Sequence, residues 1–167
     1  MKTIIIPTDL SINSLDLVKN AVLNYPNEII NIVLSYGHEI RLTDFQPMNF
    51  LSSRNFKSNI NEKFINLKQK LFQEHKNQIG KISVEAFTGM NSFAFANFLE
   101  AHQISEALIP VTAQNKFPSK EYFDISDLIR ANMKKVIEVK TRKKDLRQRD
   151  YKLTVTSISK KVNFLDN

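Results

Sequence analysis

The most constraining feature of this chain is a strand–helix–strand pattern inside its first 36 residues. Ile4-Ile5-Ile6 is a β-branched apolar run, the composition of a strand buried on both faces of a sheet. Pro7 ends the run, and Thr8-Asp9-Leu10-Ser11 follows as a turn with capping residues. From Ser14 onward, Leu15, Val18, Ala21, Val22 and Tyr25 keep helical spacing until Pro26-Asn27 stops them. Residues 28–36 form a second apolar strand, closed by Gly37. Such a crossover is right-handed and its strands are parallel. The chain is therefore expected to be α/β.

The remainder repeats the alternation. Residues 38–58 have no clear period yet carry Ile40, Leu42, Phe45, Met48, Phe50, Leu51 and Phe56. A loop of that length is either pinned to the core by its aromatics or serves as a lid or docking segment. Ile60, Phe64, Leu67 and Leu71 mark a helix over 59–78, and 81–87 reads as a third strand. Gly89 precedes a helix with Phe93, Ala96 and Leu99, and also Phe95, as its inward candidates. Residues 106–111 form a fourth strand whose Pro110 must end or bulge it, because proline gives the ladder no donor. A helix over 120–132, with Tyr122, Ile125, Leu128 and Ile129 inward, leads to a fifth strand at 136–139. The expected architecture is an open five-stranded parallel sheet flanked by helices. After Lys140 the pattern breaks, leaving a basic extension over 141–167 with an extra strand at 153–159.

What is missing excludes much chemistry. There is no cysteine, which removes disulfides, zinc ribbons, thiol nucleophiles and iron–sulfur clusters. No apolar run approaches the length of a membrane span, and residues 1–7 are too short an apolar stretch for a secretion signal. A cytoplasmic location is the resulting expectation. The net charge of +7 is concentrated late. Basic and acidic residues balance through residue 133, and 11 of the 24 Lys/Arg then fall in 134–161 against Glu138, Asp145 and Asp150. Such a run is either a solvated segment, a dimer arm, or a contact for nucleic acid or another anionic surface.

Ile4-Ile5-Ile6-Pro7-Thr8-Asp9-Leu10-Ser11 resembles the opening strand and P-x-D-x-S turn of the universal stress protein family. The order of elements over residues 1–140 follows the same plan. The resemblance implies strand order 3-2-1-4-5 and dimers paired through the last strand. It also implies an ATP site near Asp9, at the switch point where open sheets place ligands, with phosphates held by a G-x2-G-x9-G-S/T segment after strand four. That window, residues 111–126, contains no glycine. Side chains with Cβ atoms block close approach of backbone N–H groups to phosphate, and Pro118 removes a donor. Glu121 and Asp124 add repulsion that Lys116 and Lys120 only partly offset. ATP binding in the family manner is disfavoured and no cofactor is expected.

Among individual residues, Asp9 and Gly89 match ligand positions by resemblance. Both also suit plain structural work: an aspartate just past a strand caps a turn, and Gly89 lets the chain turn before Asn91 or Ser92 caps a helix. Lys116 and Lys120 are candidate anion contacts. Arg142, Lys143, Lys144, Arg147 and Arg149 are candidate contacts for nucleic acid or an anionic surface, within the basic stretch 140–152. His38, His75 and His102 give no i, i+4 metal pair, no nucleophile elbow is present, and Asp124 with Asp127 is weak evidence for acid–base work. Phe93, Phe95 and Phe98 suit core packing better than a stacking platform. The leading expectation is a non-enzymatic, homodimeric stress-response-type regulatory or interaction domain. The alternatives are a nucleotide or small-anion sensor at the Asp9 crevice, and a polyanion binder acting through the basic extension.

Overall fold

The β-branched run at the N-terminus becomes the centre of a sheet. β1 (Lys2–Pro7) lies between β2 (Ile30–His38) and β4 (Glu106–Pro110), parallel to both. The computed structural model describes residues 1–40, 60–113 and 116–140. Within them the order is β3-β2-β1-β4-β6, where β3 is Ile79–Phe87 and β6 is Val136–Val139. The five parallel strands thus have the expected order. The sixth strand, β5 (Tyr122–Phe123), has two residues and runs antiparallel to β2.

Helices cover both faces. α1 (Asp16–Asn24), preceded by a 3-10 turn at Ile12–Leu15, and α2 (Glu62–Glu74) sit on one face. Their Leu17, Val18, Phe64 and Leu71 join Ile4, Ile6, Ile32 and Leu34 in the larger core. α3 (Ser92–Ala101) and α4 (Ser126–Asn132) cover the other face, where Phe95 and Ile129 meet Ile5, Ala107 and Ile109. Each such side chain contributes about 1.5–3 kcal/mol on burial, which is why β1 tolerates no polar residue at positions 4–6.

Several expected boundaries move, each for a physical reason. β2 runs past Gly37, which lies inside the strand between Phe87 on one edge and Phe123 on the other. α2 is shorter than 59–78 because Asn61 caps it, accepting from the Lys63 N–H at 2.8 Å, and the chain turns after His75 into β3. On α3 the inward residues are Phe95, Phe98 and Leu99; Phe93 is 77% exposed and Ala96 is exposed too. Asn91 sets that phase by capping the Ala94 N–H at 2.8 Å. The last helix begins at Ser126 rather than 120, where the Asp124 carboxylate accepts from the Ser126 N–H at 2.9 Å and from its hydroxyl at 2.6 Å. Tyr122 is inward as expected, but on a strand. The loop beyond Ile40, the basic stretch after Lys140 and the strand expected at 153–159 lie outside the described residues. Among the described residues no helix is long and apolar enough to cross a membrane, and no cluster of three or more potential metal ligands occurs.

At the amino end of the sheet a buried carboxylate ties three strands and a helix together. Glu106, 4% exposed, opens β4. Its Oε2 accepts from the Tyr25 hydroxyl just past α1, and its Oε1 from Lys135 Nζ at 2.5 Å, with Lys2 Nζ 3.4 Å away. Lys2 also pairs with Glu28 at 2.8 Å and lies 5.3 Å from the Tyr25 ring centroid. Burial pushes the Glu106 carboxyl up, but the Lys135 and Tyr25 hydrogen bonds and the two ammonium charges outweigh it and hold it below the usual carboxylate range. Burial, the bond to Glu106 and the Glu106 charge together raise the Tyr25 hydroxyl well above its usual value.

Candidate functional site

The strand order reverses at β1, whose neighbours β2 and β4 send their crossovers to opposite faces. The crevice beyond the carboxyl end of β1 is where open α/β sheets bind ligands. Thr8 continues the strand line, its N–H donating to the Ser35 carbonyl at 2.9 Å. Asp9, 5% exposed, then turns inward. Its Oδ1 accepts from the Ser11 N–H at 3.0 Å and its Oδ2 from the backbone N–H of Lys116 at 3.3 Å. Thr8 Oγ1 accepts from the Leu10 N–H at 3.0 Å and lies 2.7 Å from the Ser14 hydroxyl. Both oxygens of the carboxylate at the expected ligand position therefore bond to the chain's own backbone. Leu10 holds this turn at φ 62°, the left-handed region costly to any residue with a Cβ, with its side chain buried in the larger core.

The segment after β4 crosses the mouth of this crevice as a strap over residues 116–125. β1 pairs with β2 only as far as Ser35, and β5 takes up the vacated edge, Phe123 opposite Gly37 and Tyr122 opposite His38. The Glu39 N–H adds a further bond to the Glu121 carbonyl at 2.8 Å. Tyr122, 6% exposed, stacks on Tyr36 with ring centroids 5.3 Å apart and meets the His38 ring edge-on at 4.9 Å. Burial, reinforced by the neighbouring Tyr122 and Glu85, pushes the Tyr36 hydroxyl up to about 12. On the opposite face the Phe123 ring lies directly over Gly37, where any Cβ would collide with it. Glycine is needed here to admit an aromatic ring, not for an unusual φ.

Of the other predicted site residues, Gly89 sits between β3 and α3. A Cβ there would come within 2.5 Å of Ala94 Cβ and 2.7 Å of the Phe87 ring, so the position is one of close packing. Asn91, not Gly89, occupies the helix entrance. Lys116 and Lys120 are exposed on the strap. Arg142, Lys143, Lys144, Arg147 and Arg149 lie outside the described residues. The structure thus brings Asp9 and the Lys116 backbone together. Sequence reasoning missed Tyr122, Phe123 and Gly37 as one unit. A groove of about 430 Å³ between α2 and β3, floored by Phe72 and Ile82 and edged by Lys68 and Lys81, lies at the outer strand, away from this crevice.

No family model matches the chain, and no curated protein matches it by sequence. Solved structures do match. Universal stress protein UspA from Lactobacillus plantarum superposes with TM-score 0.52 at 12% identity, over 84% of this chain and 97% of that one. The fold is that of the universal stress proteins. Hypothetical protein MJ0577 gives the same TM-score at 16% identity, covering 86% of this chain and 98% of its own. At these identities the universal-stress-protein likeness is one of fold.

Proposed function

We propose that this universal-stress-protein fold serves as a stress-response-type regulatory domain that works by association, as a homodimer, and does not hold ATP in the manner of the family. The observation that carries the reading is the strap. Tyr122 and Phe123 occupy the β2 edge at the switch point, and the Asp9 carboxylate is engaged by backbone N–H groups. The absence of glycine from residues 111–126 adds to it, since phosphate needs closely approaching backbone donors. The Thr8, Asp9 and Ser14 side chains at this crevice are hydrogen-bonded within the turn itself, which also supports the reading.

Thermal unfolding with and without magnesium–ATP or ADP tests this reading. A nucleotide at about 100 times its Kd adds about 2.7 kcal/mol, a Tm rise of about 5–10 °C for a chain of this size. The expected shift is none, and a rise of that order would overturn the reading. Association is supported by β6, a four-residue strand whose only partner among the described residues is β4; such open edges invite pairing with another chain. Sedimentation equilibrium is expected to report a dimer, and a monomer mass at all concentrations would remove that part of the proposal.

A further inference from the structure

Two strands bound the sheet among the described residues: β6 pairs with β4 alone, and β3 with β2 alone. Either edge can add a strand from another chain, and their sequences decide between them. β3 is the longer, with nine residues against four.

We propose that the homodimer forms through β3, which pairs antiparallel with β3 of a second copy in the register that sets Ser83 opposite itself. The inference rests on the homodimer reading and names the edge that carries it. In this register all nine residues overlap, and Lys81 of each copy faces Glu85 of the other. Two opposite-charge pairs result, at Cβ separations of about 5 Å. Ile82 faces Val84, and both belong to the row, with Ala86, that packs against the larger core. Lys81, Ser83 and Glu85 alternate with that row on the other face of the strand. A two-fold axis normal to the sheet keeps the two rows apart, so both copies bring α2 to the same side of a continuous sheet. There the partner's Val84 adds apolar surface beside Ile82, which with Phe72 floors the groove under α2. The groove's other charge, Lys68, stands on α2, across the sheet from the Lys81–Glu85 pairs, and Gln69 and Gln73 are neutral.

The match is specific to this register and this edge. Centred on Ile82, the pairing sets Lys81 opposite Ser83 and Glu85 opposite Ile79; centred on Val84, it sets Lys81 opposite Phe87. In β6, an axis at Ile137 sets Lys134 opposite Lys140. An axis at Glu138 sets that carboxylate, bonded to Arg130 at 2.9 Å, opposite its own copy. Like charges directly opposite are destabilising. The registers that oppose Glu138 to Lys134 or Lys140 are centred on Val136 or Val139, the ends of the strand, and overlap the two strands by a single residue.

The chain has no cysteine, so single cysteines report the pairing in the full-length protein. Ser83→Cys places two thiols directly opposite, at a Cα separation of about 4.5–5.5 Å that a disulfide spans. Mild oxidation is expected to link it into covalent dimers on a non-reducing gel. Lys81→Cys, whose two copies lie about 14 Å apart along the strands, should link at least about tenfold less. In sedimentation equilibrium Lys81→Glu, at an exposed side chain, should weaken the dimer at least about tenfold. Lys81→Glu/Glu85→Lys, which keeps the total charge, should restore it. Either a dimer unchanged by Lys81→Glu or a Ser83→Cys variant that does not link overturns the choice of β3 and leaves the homodimer reading standing. Equal linking through Lys81→Cys overturns the register, and weakening that the double reversal fails to restore overturns the charge pairing. A monomer mass for the unsubstituted protein at all concentrations removes both readings together.

Discussion

Glu106→Ala is expected to destabilise the protein by about 2–3 kcal/mol, because it leaves the Tyr25 hydroxyl buried without its acceptor and removes the anion that Lys2 and Lys135 converge on. Chemical denaturation of the variant measures the loss; a change below about 0.5 kcal/mol would show the network to be dispensable. The same cluster fixes a pH dependence. The folded Glu106 carboxyl sits below its ordinary value of 4.5, so its contribution is complete above that pH and is lost as pH falls through the lower folded value. Tyr25 works in the opposite direction. Its hydroxyl is raised in the fold, so its contribution is complete below pH 10 and declines as alkali ionises the unfolded chain first. Stability is therefore expected to fall off on both flanks, and Glu106→Ala should flatten the acid flank.

Gly37→Val is expected to unlatch the strap. The Gly37 backbone has no positive φ, so valine suits the strand itself, and the nearest atoms its Cβ meets are those of the Phe123 ring. Overpacking of this kind costs about 1–3 kcal/mol, or a Tm lower by roughly 2–12 °C. Residues 116–125 should become open to proteolysis while the sheet stays intact. Adding Phe123→Ala should recover part of the loss, since the two side chains share one space. A variant that unfolds globally, or one that Phe123→Ala fails to relieve, would show that the ring contact is not what holds the strap.

Much of this architecture was legible in the sequence because buried parallel strands read as unbroken apolar runs, and Ile4-Ile5-Ile6 is one. β5 was not, for a physical reason. Tyr122, Ile125 and Ile129 are all buried, and their three- and four-residue spacing imitates a helix face. What makes Tyr122 and Phe123 a strand is the length of β2 beyond the end of β1, a property of the partner and not of the local residues. Phe93 and Phe95 were ambiguous in phase, and only the Asn91 cap decides which one enters the core. The Glu106 network did leave a trace: Lys2, Glu106 and Lys135 each stand at or just before the start of β1, β4 and β6, three adjacent strands. The strap's engagement of Asp9 left none, since a backbone N–H at residue 116 carries no residue-type signature.

The strand order has a consequence for how the molecule assembles. Ile4 pairs with Ile32 on one side and with Glu106 on the other, the second partner lying nearly four times as far along the chain. Closing the longer loop costs about 1 kcal/mol more in chain entropy, so the N-terminal β-α-β unit can form early while the β1–β4 seam waits for a distant segment. The strap pairs Gly37 with Phe123, 86 residues apart, so the same chain entropy favours formation of the N-terminal unit before the strap joins the β2 edge.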